Sequence, residues 1–424
     1  MEIDAILGDE LLEEVLRRLH PHSFFPSSTD DVSLVSKRWL RLYRSSKSRL
    51  DLSLSPENCT APSLSSFLSH FPHLSFLHIV ISTVGGCGGD AISAFPDQIL
   101  HSISLSCTKL TTLYLDHATV SLSPLLSLSN SCPHLTRLSI SLSTSVSLHW
   151  LRFFRSLQTL SVCFKFVPGE SKHLDDDASG GKYFDAELKL ENLTMLYIRR
   201  GGYGFDWLWR SCKNLKKLQL VRCQGIGDDT SVSSFVNCFK GLQEVELQRC
   251  GFVVLEILSK VLVNCTSLNS LLIFNMASSY GLLHQFITHS RCSLQQLDLC
   301  LPHDLINYHL SAVADRFRGL LSLRLTLCHL VTGEGLRTMV LAMTNELQEL
   351  ALIDCKVEPG LLTILGQRFR NLRKLDLSYN GKLVDDEFIA LLASCNCLRE
   401  LRVRECEGLT NASVISMFKS CKQL

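Results

Sequence analysis

Charge of one sign is missing from this 424-residue chain: 42 lysines and arginines stand against 41 aspartates and glutamates, a net of +1. Holding nucleic acid by bulk charge is thereby disfavoured. Long apolar runs are missing too. The longest candidate, Phe252 to Val263, is broken by Glu256 and Lys260, and nothing approaches the roughly 18–20 apolar residues that cross a bilayer. The acidic start MEIDAILGDELLEEVL lacks the basic region and cleavage site of a secretory signal. These absences predict a cytoplasmic or nuclear protein with no membrane or nucleic-acid partner, whose 18 cysteines are reduced thiols. Catalytic signatures are also absent. The chain has no GxxxxGK(S/T) phosphate loop, no HExxH and no GxSxG. Zinc ligands come in close CxxC pairs, and only Cys395 and Cys397 lie near each other. The expectation is therefore no catalytic residue, no metal, no cofactor and no enzyme activity of its own.

Leucine is what the chain has in excess, with 80 residues. The pattern Leu, two variable residues, Leu, one variable residue, then Leu, Ile or Val starts at Leu74, Leu110, Leu135, Leu157, Leu193, Leu215, Leu242, Leu268, Leu294, Leu320, Leu347, Leu372 and Leu398. From Leu215 onward the spacing holds at 25 to 27 residues. The ninth place is often Cys or Asn, as in Cys223, Cys250, Cys328, Cys355, Asn380 and Cys406. A second cysteine often precedes the next unit, as in Cys107, Cys132, Cys212, Cys238, Cys265, Cys292, Cys395 and Cys421. Two columns of thiols suit small buried hydrophobes with a weak S–H donor. The alternating Leu-x-Leu predicts a short strand, and segments such as EGLRTMVLAMTN predict a helix behind it. One such unit cannot bury its apolar face alone; stacked units make a parallel sheet over one continuous core.

These units, and LRELRVRECEGLTNASVISMFKSC from Leu398 to Cys421 in particular, resemble the cysteine-containing leucine-rich repeats of F-box proteins and, more distantly, of ribonuclease inhibitor. The resemblance implies an α/β fold: a horseshoe solenoid of about 13 units over residues 51–424, with the parallel sheet inside and helices outside. It also implies that the concave face binds another macromolecule. Leu424 falls where a further unit should begin, which raises the question of a truncated array.

Residues 1–50 carry no repeat. Leu11, Leu12, Val15, Leu16 and Leu19 fall on one helical stripe, Asp9 and Glu10 suit its start, and DVSLVSKRWLRLYR reads as more helix. A domain this small is marginal alone, so a partner surface would complete its core. The stretches LGDELLEEVLRRL and SLVSKRWLRL resemble a small all-α F-box, the latter in its plant-like version. Gly8 stands where the family usually has Pro, and Ser36 where Cys is common. The resemblance implies binding to a Skp-family adaptor and, through it, a cullin. The adaptor-facing set would be Leu7, Leu11, Leu12, Val15, Leu16, Leu34, Val35 and Trp39. The implied function is a substrate receptor of a Skp–cullin–F-box ubiquitin ligase that presents an unknown protein target for degradation. The alternative is a non-ligase interaction scaffold or inhibitor with a helical cap. Some plant relatives bind hormones in the horseshoe, but no pocket signature for a small molecule is present.

On the sheet, side chains at the fifth, seventh and eighth places should point away from the core. The eighth place reads Arg200, Arg222, Arg249, Asn275, Leu301, Leu327, Asp354, Tyr379 and Glu405. Candidate target-binding residues are thus Arg199, Arg200, Arg222, Arg249, Phe274 and Tyr379, with Leu301 and Leu327 as an apolar continuation. Three arginines in one column fit an anionic target, unless Glu246 or the acidic insertion at Asp175 to Asp177 neutralises them. The long Leu157 to Leu193 interval predicts a protruding loop, and the glycines from Gly85 to Gly89 a flexible turn.

Overall fold

The computed structural model describes residues 8–18, 35–82, 94–144, 146–165, 187–199, 204–226, 233–276 and 281–420. The acidic insertion, the Gly85 to Gly89 turn, Leu7, Leu34 and Arg200 lie outside these. The chain divides into two compact units, residues 1–192 with 202–204, and residues 193–201 with 205–424.

The first unit opens with helices α1 (Asp9–Arg18) and α2 (Lys37–Ser46). Five parallel strands follow in chain order: β1 (Arg49–Leu54), β2 (Phe76–Ile81), β3 (Thr112–Val120), β4 (Arg137–Ser143) and β5 (Thr159–Lys165). Helices α3 (Ala61–Leu68), α4 (Ala94–Ser106) and α5 (Leu122–Ser131) connect them, and the last connection is only a 3-10 turn, Leu148–Phe153. The interval from Leu135 to Leu157 is too short for a full helix. Strand β1 lies ahead of the first leucine unit read from the sequence. It pairs with β2 in register, Leu50 beside Leu77 and Leu52 beside Ile79.

In the second unit the strands are β6 (Asn192–Leu196), which begins one residue before it, β7 (Lys217–Val221), β8 (Glu244–Gln248), β9 (Ser270–Met276), β10 (Gln296–Pro302), β11 (Ser322–Thr326), β12 (Glu349–Ile353), β13 (Lys374–Asp376) and β14 (Glu400–Arg402). From β7 on they pair in parallel and in order. Among the described residues a 3-10 turn, Phe235–Cys238, and the helices α6 (Phe205–Ser211), α7 (Val253–Asn264), α8 (Leu282–His289), α9 (Asn307–Arg316), α10 (Gly333–Ala342), α11 (Leu361–Arg368) and α12 (Asp385–Ser394) lie between strands, and α13 (Asn411–Ser420) follows the last. Among the described residues no helix is long and apolar enough to cross a membrane.

The leucine pattern explains this stack. In each typical unit the first, fourth and sixth places are buried, as in Leu215, Leu218 and Leu220. The carbonyl of the second place accepts two N–H bonds from the next unit. Lys216 O, for example, accepts from Gln243 N at 2.8 Å and Glu244 N at 2.9 Å. Both cysteine columns add a rung by donating S–H to the backbone of the preceding unit. Cys250 Sγ meets Leu220 O at 3.3 Å and Cys355 Sγ meets Leu325 O at 3.2 Å; Cys132 Sγ meets Cys107 O at 3.1 Å and Cys292 Sγ meets Cys265 O at 3.3 Å. Burial pushes the donating thiol of Cys132 up to about 11 and the buried thiols of Cys107 and Cys212 to about 12, so all three stay protonated.

One feature of the repeat was not read from the sequence. The eighth place of ten units, from His117 to Glu405, is a non-glycine residue with φ between 50° and 64°. This left-handed conformation costs roughly 1 kcal/mol per residue. It turns the ninth side chain inward, and it lets the eighth N–H reach the next strand, as Arg222 N does to Gln248 O and Arg249 N to Phe274 O, both at 2.8 Å. In β2, β4 and β5 the eighth place is instead apolar and buried (Ile81, Leu142 and Phe164), and the strand runs straight on.

The register at one unit corrects the sequence reading. Glu191 N and Asn192 N donate to Gln158 O, which makes them the second and third places. That unit therefore starts at Leu190 and continues through Leu193 and Met195, both buried. Its eighth place is Tyr197, with φ 61°, not Arg200. The chance succession Leu193, Leu196, Ile198 satisfied the pattern three residues late, because methionine holds the true sixth place.

Candidate interaction surfaces

Two surfaces carry the residues singled out from the sequence. The first is the helix pair at the start of the first unit. Leu12 and Leu16 on α1 and Leu42 on α2 form its buried centre, with Trp39 and Tyr43 packed against it. Asp9 clamps the two helices. Its carboxylate accepts from Arg38 Nε at 2.8 Å and Arg41 Nη2 at 3.3 Å, and Ser45 Oγ donates to Glu13 at 2.9 Å. Ser36 caps α2, accepting from Trp39 N at 3.2 Å, which a cysteine would do less well. Leu12 and Leu16 thus spend their apolar surface inside the pair. Leu11 and Val35, each 61% exposed, and Val15, 44% exposed, keep about half of theirs open. Leu11 and Val15 are four residues apart and so share one face of α1.

The second surface is the open face of the sheet in the second unit, opposite the helices. Third and fifth places on this face are matched in charge across strands. Lys217 meets Glu244 at 2.9 Å, Lys374 meets Glu349 at 2.7 Å and Arg324 meets Asp298 at 3.2 Å. Glu246 is engaged by amides: Gln219 Nε2 donates to it at 2.9 Å, and Gln248 Nε2 donates as well. It makes no ion pair with Arg222 or Arg249.

A groove of about 550 Å³ opens on this face. Tyr197, Arg222 and Arg249 stand at its rim. Leu272, Phe274 and Ile353 supply apolar lining, and Asp298, Arg324 and Thr326 a polar patch; Val221, Gln248 and Cys300 complete it. Each rim arginine leans on a ring. The Arg222 guanidinium lies 5.4 Å from the centre of Tyr197, with Nη1 donating to its hydroxyl at 3.2 Å, and Arg249 lies 5.4 Å from the centre of Phe274. Among the described residues neither arginine meets a carboxylate. Burial pushes the Asp298 carboxyl up, against the pull of the Arg324 guanidinium.

Of the target-side candidates, Arg222, Arg249 and Phe274 come together here. Arg199 is exposed, but the corrected register puts it two places past the eighth, beyond the strand. Tyr379 is 53% exposed on the same column, outside the groove. Leu301 and Leu327 do not line it either. Tyr197, Leu272, Asp298, Arg324 and Ile353 were missed. Reading the fifth and seventh columns as closely as the eighth would have found four of them; Tyr197 was hidden by the slipped register.

Strands that ladder in chain order, helices behind them and an open face bearing a groove define a leucine-rich-repeat solenoid. No family model matches the chain. Among solved structures, a chain in the complex of Rad7 and Elc1 from yeast aligns at TM-score 0.52 and 14% identity, over 98% of this chain and 86% of that one. The complex of TLR13 with ssRNA13 aligns at TM-score 0.39 and 14% identity, over 88% of this chain and 53% of that one. At such identity the Rad7–Elc1 likeness establishes the shared fold.

Proposed function

We propose that this chain is the substrate-recognition subunit of a Skp–cullin–F-box ubiquitin ligase, of the plant-like leucine-rich-repeat kind, working in the cytoplasm or nucleus. The observation that carries the reading is the division of labour on the helix pair. Leu12, Leu16 and Leu42, with Trp39 and Tyr43 against them, form its own core, while Leu11, Val15 and Val35 stay about half exposed. Leaving such side chains half-exposed forgoes about 1 kcal/mol each, which a Skp-family adaptor recovers on binding. The fold also occurs in a protein complex, that of Rad7 and Elc1. The groove on the open face would hold the protein target, and the chain would contribute no bond chemistry. Its contribution is effective concentration: one end docks on the ligase, the sheet face holds the target, and a separately bound conjugating enzyme reaches the target's lysines.

The test is affinity purification of the tagged full chain from cells treated with a proteasome inhibitor. Adaptor and cullin recovered together are the expected result. A folded chain that recovers neither would return the protein to the scaffold reading.

A further inference from the structure

The rim of the groove says more about what it holds. Arg222 and Arg249 are successive members of the eighth column. Their backbones are held in the left-handed conformation by the N–H bonds to Gln248 O and Phe274 O, so the side chains start from fixed points. They lean apart. Arg222 stacks toward Tyr197 of the preceding strand, and Arg249 toward Phe274 of the following one. A ring lies beside each guanidinium; Arg222 spends an Nη1 N–H on the Tyr197 hydroxyl and keeps its Nε–Nη2 edge, and such an edge is the part that takes a carboxylate in a two-bond fork. Two diverging forks suit two single negative charges better than one dianion placed between them. The neighbouring cations on this face already have acids, Lys217 with Glu244 and Arg324 with Asp298; these two have none among the described residues.

Beyond the rim the groove changes character. Leu272, Phe274 and Ile353 are half-buried and apolar, and Asp298 sits among them, held by Arg324. A third acidic residue in the occupant would meet the Asp298 carboxylate, whereas an apolar side chain would cover Phe274 and Leu272. The groove is formed by side chains on one face of a sheet, which admits an extended segment.

Resting on the reading of this face as the target site, we infer that the groove recognises a short linear segment of a partner protein, with two neighbouring Asp or Glu residues followed by an apolar residue. The carboxylates fork onto Arg222 and Arg249. The apolar side chain lies on Leu272, Phe274 and Ile353, and Asp298 excludes longer acidic runs. Each fork is a charge-assisted pair, so removing one carboxylate or one arginine weakens binding about tenfold.

Fluorescence anisotropy on the purified full chain tests this with the labelled peptide Gly-Ser-Asp-Glu-Gly-Leu-Gly-Ser. Four competitors go with it: the Asn-Gln version, the version with Leu replaced by Ser, the version with Leu replaced by Glu, and one with a single phosphoserine in place of Asp-Glu. Variants are R222Q, R249Q and the pair together, with circular dichroism as the check on folding. The expected result is binding of the Asp-Glu-Leu peptide that weakens with salt. It falls about tenfold for each single variant and below detection for the pair, and all four competitors bind less well. No binding of the acidic peptide, equal binding of the Asn-Gln peptide, or binding unchanged in the R222Q/R249Q pair would overturn the inference. Tighter binding of the phosphoserine peptide would overturn the two-carboxylate assignment. Adaptor binding is measured on the same samples. Adaptor bound with no peptide bound removes this inference alone, and peptide bound with no adaptor bound removes the ligase reading alone.

Discussion

Asn380 holds the ninth place where most repeats of the second unit put cysteine, and replacing it tests what that column does. The side chain is 3% exposed. Its amide nitrogen donates to Leu352 O at 2.6 Å and Leu377 O at 2.9 Å, with Ser378 O at 3.2 Å as a shared third acceptor. Its carbonyl accepts from Cys355 N at 3.3 Å and Val357 N at 3.1 Å. One residue therefore joins β12, the loop after it and the turn that follows β13. Asn380→Ala removes four principal bonds, worth about 1 kcal/mol net each, and leaves two buried N–H groups without acceptors, at a further 1–3 kcal/mol apiece where water does not reach them. The expected loss is at least about 4 kcal/mol. Asn380→Cys is the informative control. A thiol there can repeat the contact that Cys355 Sγ makes with Leu325 O, but it offers Cys355 N and Val357 N little, so only about one bond in four should return, roughly 1 kcal/mol. Units of a solenoid can unfold separately, so the assay is hydrogen exchange followed by mass spectrometry on peptides spanning residues 350–380, with urea denaturation of the full chain alongside. Protection at Cys355 and Val357 should collapse in the Ala variant and stay low in the Cys variant, whose urea midpoint alone recovers in part. Wild-type protection in Asn380→Ala would refute the view that this column joins the units.

Three further outcomes follow from the same packing. Leu12→Ala or Leu16→Ala should each cost about 2–5 kcal/mol of helix-pair stability, whereas Leu11→Asp with Val15→Asp should change it by less than about 0.5 kcal/mol per site, read from urea melts of the full chain. Asp385 accepts from Ser413 Oγ at 2.5 Å and from Thr410 N at 2.9 Å, which lowers its carboxyl to about 2. A depressed acid stabilises the fold above its unfolded value near ~3.9 and loses that contribution as pH falls toward 2. Asp385→Asn should therefore be less stable than wild type above about pH 4 and converge with it near pH 2. At Gly408 a Cβ would lie 2.0 Å from Leu383 O, so Gly408→Ala should shift the α12 approach loop and lower the urea midpoint, by about 1–3 kcal/mol in stability.

The strand phase was legible because leucine at the first, fourth and sixth places is a packing requirement that each unit repeats. It failed where Met195 took the sixth place and Leu196 and Ile198 offered a false alternative. The strand β1 was missed for a similar reason: Lys47 stands three residues before Leu50, where the pattern asks for leucine. The left-handed eighth residue cannot be read from residue type, since arginine, leucine, aspartate and tyrosine all occupy it. The cysteine or asparagine at the ninth place was its trace, because a side chain that must turn inward after an outward one requires the turn. On the helix pair, the sequence placed Leu11, Leu12, Val15 and Leu16 on one broad stripe. Which half faces inward depends on Leu42, 26 residues beyond Leu16 in the chain, and local periodicity does not carry that. A quarter of the groove was legible: Arg222, Arg249 and Phe274 were found among its twelve lining residues, while Asp298 and Arg324 look like ordinary strand surface until their pairing across β10 and β11 is seen.

The most direct measurement is isothermal titration of the purified full chain with a purified Skp-family adaptor, using wild type, the Leu11→Asp/Val15→Asp variant and the Arg222→Gln/Arg249→Gln variant. The account predicts saturable one-to-one binding by wild type and by the arginine variant, and loss of at least about a hundredfold in the helix variant, since each charge placed in an apolar interface costs upward of 1.4 kcal/mol. Wild type that does not bind the adaptor, or a helix variant that binds as wild type does, would contradict it.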